Sequence, residues 1–137
     1  MDSPARQSLV LLIESDPGSS TLCRGLIESV GATCCPVSSM EEAEAILRHS
    51  APDIVVVDYD LPDGTGIDLI ALLRQNLQHR STPILLLTGE IDAHELERAV
   101  MMGIYAFLAK PFSPEEFTKL VGAAINEEAQ RVRNGDE

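Results

Sequence analysis

Short runs of apolar residues alternate along the chain with longer stretches in which apolar positions recur every three or four residues. The short runs fall at 9–13, 32–37, 54–57, 84–87 and 104–109. They are too brief for helices. The third, Ile54 to Val57, is β-branched throughout and has no polar alternation, as in a strand buried on both faces. The stretches between them carry helical stripes. Leu22, Leu26 and Val30 form the first, with Cys23 and Ile27 beside them. Met40, Ala43, Ile46 and Leu47 form the second, and Ile67, Ile70, Leu73 and Leu77 the third. Leu96, Ala99 and Val100 belong to the fourth, and Phe117, Leu120, Val121, Ala124 and Ile125 to the fifth.

Local signals agree with this division. Asp16-Pro17 reads as a helix cap followed by proline at the first helical position. Ser39 with Glu42, Asp92 with Glu95, and Ser113-Pro114 with Glu116 have capping-box spacing. Gly31 and Gly103 sit where helices end. Five strands alternating with five helices require right-handed crossovers and a parallel sheet covered on both faces. The expected fold is therefore α/β, a doubly wound five-stranded sheet in a single domain over 8–126. Residues 1–7 are expected to be loose. The last helix is expected to fray from Asn126, and residues 127–137 to hold its end and a disordered tail.

Composition narrows the function. The 137 residues carry a formal charge of −12, which disfavours direct binding to nucleic acid or to anionic membranes. No apolar run approaches membrane-spanning length, and no signal-peptide core opens the chain. Cys23, Cys34 and Cys35 form neither a disulfide framework nor a C-x-x-C zinc pattern, and each lies in an apolar stretch. A reducing, cytoplasmic setting is the default expectation.

The chemistry gathers at the strand ends. The first strand ends at Glu14, Ser15 and Asp16, the third at Asp58, the fourth at Thr88 and the fifth at Lys110. In open α/β sheets ligands bind at this carboxyl rim. Carboxylates packed together there need a cation, and Mg²⁺ is the hard, oxygen-seeking candidate. A lysine and a hydroxyl beside them suit the oxygens of a phosphoryl group. The set is suited to phosphoryl transfer onto a carboxylate, with Asp58 as the reacting group. His49, His79 and His94 are scattered and carry no assigned chemistry.

The segments LVLLIESDP, DIVVVDYDLPDGTG, LLLTGE and FLAKPF, in this order and at these intervals, resemble the receiver domains of two-component response regulators. The resemblance covers about residues 8–126. It implies the flavodoxin-like strand order 2-1-3-4-5. By the same likeness Asp58 is the phosphoacceptor, receiving its phosphoryl group from a histidine kinase or phosphotransfer protein. Glu14 matches the first member of an acidic pair, and the backbone carbonyl of Asp60 a metal ligand. Lys110 matches the phosphoryl-contacting lysine, and Lys110-Pro111 falls where the family commonly has a cis bond. Thr88 and Phe107 match the switch pair. The resemblance also implies a downstream protein target on the face of the fourth helix, fifth strand and fifth helix. Homodimerisation on activation is a further implied assembly. Such a domain assists its own phosphorylation and dephosphorylation and is not otherwise an enzyme.

One position departs from the pattern. Ser15 stands where the family usually has a metal-bound aspartate. Losing that carboxylate removes a Coulomb term of about 4 kcal/mol, for unit charges ~4 Å apart at an effective dielectric near 20. Asp16 is the alternative source of the missing acid, against its competing role as a helix cap. Weakened Mg²⁺ binding is expected. A phosphorylation-independent interaction module is therefore the second reading. A third, an aspartyl-phosphate hydrolase, rests on the D-x-D of Asp58 and Asp60; no later strand end supplies the further acid such enzymes carry. Tyr105, Met101 and Met102 lie where a partner surface or core packing would use them.

Overall fold

The computed structural model describes residues 7–134. The five long strands are β1 (Leu9–Ile13), β2 (Thr33–Val37), β3 (Ile54–Asp58), β6 (Ile84–Thr88) and β7 (Ala106–Ala109). Two short strands, β4 (Asp60–Leu61) and β5 (Gly64–Thr65), form a separate antiparallel hairpin straight after β3. The helices are α1 (Pro17–Ser29), α2 (Met40–Leu47), α3 (Gly66–Gln75), α4 (Ala93–Met101) and α5 (Pro114–Arg133).

The main sheet is parallel throughout and runs β2-β1-β3-β6-β7. With the hairpin set aside, this is the expected 2-1-3-4-5. The two-residue period of the strands divides the core between the two faces. Val10, Leu12, Ile54, Val56, Leu85 and Leu87 pack with Cys23, Ile27, Phe117 and Val121 on the α1–α5 side. Leu11, Ile13, Val55, Val57, Ile84 and Leu86 pack with Ala43, Leu47, Ile70 and Leu73 on the other. Both faces of β3 are closed, which explains its uninterrupted apolar run.

The helix stripes need three corrections. Leu22, Leu77 and Val100 are exposed. In α1 the core-facing pair is Cys23 and Ile27, four apart, so Leu22 points away. Helix α3 ends at Gln75, which leaves Leu77 beyond its stripe. Val100 is one residue past the buried Ala99, about 100° further round the helix. The fifth strand is shorter than 104–109, beginning at Ala106.

Helix α5 extends past Asn126. It continues to Arg133, and the Arg131 guanidinium donates twice to Glu128, at 3.1 and 2.7 Å. Gln7 is held as well, its side-chain amide donating to the Gly31 carbonyl at 2.9 Å. Residues 1–6 and 135–137, read from sequence as loose terminus and tail, lie outside the described residues.

Candidate functional site

Sheet register fixes the site. Ile13 lies opposite Val57, Asp58 opposite Leu87, and Thr88 opposite Ala109. The next residue on each strand therefore emerges at one rim, and Glu14, Asp58, Thr88 and Lys110 come from adjacent strands. Backbone bonds hold the exits: Glu14 N–H donates to Val37 at 3.0 Å, Tyr59 to Leu87 at 2.8 Å and Lys110 to Thr88 at 2.7 Å.

The Lys110 ammonium lies between two carboxylates, 3.0 Å from Glu14 Oε1 and 3.1 Å from Asp58 Oδ1. Both acids are buried, at 2% and 6% exposure. One ammonium for two buried carboxylates leaves surplus negative charge. Burial pushes the Asp58 carboxyl up to about 6. A hydrogen bond with Glu14 and the Glu14 charge act in the same direction, and Lys110 opposes them. Burial alone would lower Lys110, but its bonds to both acids outweigh this and hold it above its ordinary value. The Lys110–Pro111 peptide is cis, as the family likeness implies.

Asp16 does not replace the missing carboxylate. Its Oδ2 accepts the Ser19 N–H at 2.8 Å and caps α1, while its own N–H donates to Glu14 Oε2 at 3.2 Å. The bond to Ser19 holds the Asp16 carboxyl below its ordinary value. Ser15 and Asp60 are exposed. Among the described residues no group of three or more His, Cys, Asp or Glu side chains is placed to hold a metal ion. The close carboxylate cluster expected from the strand ends is thus reduced to a pair, because helix capping claims the third acid. The pair, with its unbalanced charge, still fits a hard cation, which typically binds one or two carboxylates together with phosphate oxygens.

Thr88 is buried, and among the described residues its hydroxyl makes one long 3.5 Å contact, donating to the Gly89 carbonyl. Phe107 is 44% exposed on the edge strand. Tyr105 is half-buried, and Glu127 of α5, with burial, pushes its hydroxyl above the ordinary value. Met101 is exposed, while Met102 packs partly against the core. Beside Lys110 a cavity of about 390 Å³ is lined by Leu22, Cys23, Pro111 and Phe112.

The loop after Asp58 contains features the sequence reading missed. Thr65 and Asp68 form a reciprocal capping box at the start of α3. The T-x-x-D spacing signals such a box. Gly66 donates its N–H to the Tyr59 carbonyl at 2.7 Å. A Cβ there would lie 2.7 Å from the Asp58 carbonyl oxygen, so glycine is required by close approach. Asp63 accepts the N–H groups of Met40 and Glu41, each at 2.9 Å. Far from the rim, the Arg74 guanidinium donates to the carbonyls of Met102, Thr82 and Gly103 at 2.7, 2.9 and 3.0 Å. No local sequence pattern announces these last two, because their partners are eight to 29 residues away.

The model of the response regulator receiver domain matches residues 10–122. The chain belongs to this family. Its fold and strand order agree with that assignment. It is 30% identical over 116 residues to the phosphate regulon transcriptional regulatory protein PhoB of Rhizobium meliloti, covering 85% of this chain and 51% of that protein. It is 29% identical over 132 residues to the DNA-binding transcriptional regulator NtrC of Salmonella typhimurium, covering 94% of this chain and 28% of the relative. This receiver domain therefore spans about half or less of those two regulators. Among solved structures, it is similar to the signal receiver domain of an HD domain-containing protein from Pseudomonas fluorescens Pf-5. The TM-score is 0.83 at 26% identity, covering 91% of this chain and 99% of that one. No helix among the described residues is long and apolar enough to cross a membrane.

Proposed function

We propose that this receiver domain is a phosphoacceptor switch, in which Asp58 takes a phosphoryl group from a phosphohistidine donor on a histidine kinase or phosphotransfer protein. The observation that carries this reading is the single Lys110 ammonium bridging buried Glu14 and Asp58 at the sheet rim. With its carboxyl at about 6, Asp58 is ionised near neutral pH and available as a nucleophile. One of its oxygens attacks phosphorus, the phosphorus–nitrogen bond breaks, and the electron pair leaves with the donor imidazole. Lys110 is placed to neutralise the transferring oxygens. Glu14, Asp58 and the Asp60 carbonyl would hold Mg²⁺, which supplies charge neutralisation for the phosphoryl group when bound.

The added charge then biases the fold. The Thr88 hydroxyl, tied only by its long contact to Gly89, is free to turn toward the phosphoryl oxygens. Phe107 lies two residues before Ala109, the register partner of Thr88, and is exposed enough to repack. The readout surface is the α4–β7–α5 face, where Val100, Met101 and Phe107 stand exposed. A downstream protein target, or a second copy of the chain, would read that change as a population shift.

Incubation with Mg²⁺ and acetyl phosphate should add the mass of one phosphoryl group to the wild type and none to Asp58→Asn. No mass gain, together with no response to beryllofluoride, would refute the reading.

One observation favours a second reading, a receiver that binds partners without phosphorylation. Ser15 supplies no carboxylate, and Asp16 is committed to capping α1. The Ser15→Asp variant separates the two. Labelling at low Mg²⁺ should rise in this variant if the switch is intact but cation-poor. Partner binding unaffected by Asp58→Asn would support the phosphorylation-independent module.

A further inference from the structure

The loop leaving the phosphoacceptor is fastened to a helix it does not precede. The Asp63 carboxylate spans the first two N–H groups of α2, accepting from Met40 and Glu41 at 2.9 Å each. The third N–H of that helix, on Glu42, goes to the α2 cap Ser39 at 3.1 Å. The start of α2 is therefore satisfied partly by its own cap and partly by the tip of the β4–β5 hairpin. The hairpin is also seated by shape. A Cβ on Gly64 would lie 2.8 Å from Met40 Sδ. Met40, Tyr59 and Leu61 all pack against the same core face. At its base the loop is closed by the Gly66 N–H to the Tyr59 carbonyl.

We propose that Asp63 is a positioning residue for the phosphoacceptor loop: by latching the hairpin to α2 it fixes the backbone of Asp60 beside the Glu14–Asp58 pair. Asp63 touches no reacting group. Its effect passes through two residues of hairpin, Pro62 and Leu61, to the Asp60 carbonyl. The inference rests on the reading of that carbonyl as a cation ligand given above. With Ser15 in place of an acid, the protein has fewer side-chain ligands than the family pattern, so a fixed backbone carbonyl carries a larger share of the site. Outer partners that orient metal ligands are commonly worth 10–100-fold in affinity.

The test compares Asp63→Ala and Asp63→Asn with Ser39→Ala in the whole chain. Ser39→Ala removes a cap from the same helix end without freeing the hairpin, so it controls for a purely structural loss. Mg²⁺ alone is titrated by calorimetry, and amide exchange is followed at 59–65 and at Met40 and Glu41. The expected result is about tenfold weaker Mg²⁺ binding in Asp63→Ala. Exchange at 59–65 should be faster in that variant, and Mg²⁺ affinity close to wild type in Ser39→Ala. Asp63→Asn keeps one acceptor oxygen and should fall between wild type and Asp63→Ala, which preserves the test if the alanine variant folds poorly. Saturating Mg²⁺ should restore acetyl phosphate labelling of the Asp63 variants. Equal losses in Ser39→Ala and Asp63→Ala would overturn the proposal, as would unchanged affinity despite a loosened hairpin. A wild type that binds no Mg²⁺ at all would overturn the cation reading itself and the inference with it.

Discussion

Replacing Asp58 by asparagine should stabilise the metal-free domain, and only above the pH at which Asp58 ionises. Glu14 and Asp58 share one ammonium, and both are almost wholly buried. Burial is the largest reason the Asp58 carboxyl rises from 3.8 to about 6, with Glu14 adding to it. The folded state thus holds the Asp58 proton more tightly than the unfolded chain does. The stabilisation from that proton is complete below about pH 4, is lost as the pH rises through about 6, and is absent above. At roughly 1.4 kcal/mol per pH unit the upper bound is about 3 kcal/mol. The ammonium between the acids is partly open to solvent, and screening there reduces the effect to about 1 kcal/mol. Asparagine has nearly the same shape and no charge to desolvate.

Thermal melts in EDTA, from about pH 4 to pH 8, should give matching curves for both proteins at the acid end. A gap of a few degrees in favour of Asp58→Asn should open between about pH 4 and 6 and hold above it. Adding Mg²⁺ should raise the wild type and close the gap, since the cation neutralises the same surplus charge. A variant less stable than wild type at pH 8, or a gap that does not change with pH, would refute the electrostatic account of the site.

Other consequences follow from the geometry. Lys110→Met leaves two buried carboxylates without a cation and should cost about 1–3 kcal/mol in urea unfolding without metal, partly recovered by Mg²⁺. Labelling by acetyl phosphate should fall at least tenfold in the same variant. Gly66→Ala places a Cβ 2.7 Å from the Asp58 carbonyl oxygen and should destabilise by about 1–3 kcal/mol while slowing labelling of Asp58. Arg74→Met strips three carbonyls of their donor and should cost about 2–3 kcal/mol with labelling retained. Arg74→Lys should not rescue it, because a single ammonium cannot reproduce the guanidinium fork.

Short apolar runs, helical stripes and caps are local patterns. The sequence accordingly determined the βα alternation, the two-faced burial of β3, and the residues standing at the strand ends. Asp58, Glu14, Thr88 and Lys110 were legible because a parallel sheet sends every such residue to one rim. The tertiary structure decided what depends on contacts distant in sequence. Those contacts turn Leu22 outward and give the Asp16 carboxylate to α1 rather than to the site. They place one lysine between two acids, fasten the hairpin to α2 through Asp63, and set Arg74 on the carbonyls beyond α4. A carboxylate can cap a helix, ligate a cation or pair with an ammonium with similar ease. Which of these it does depends on the neighbours the folded chain supplies.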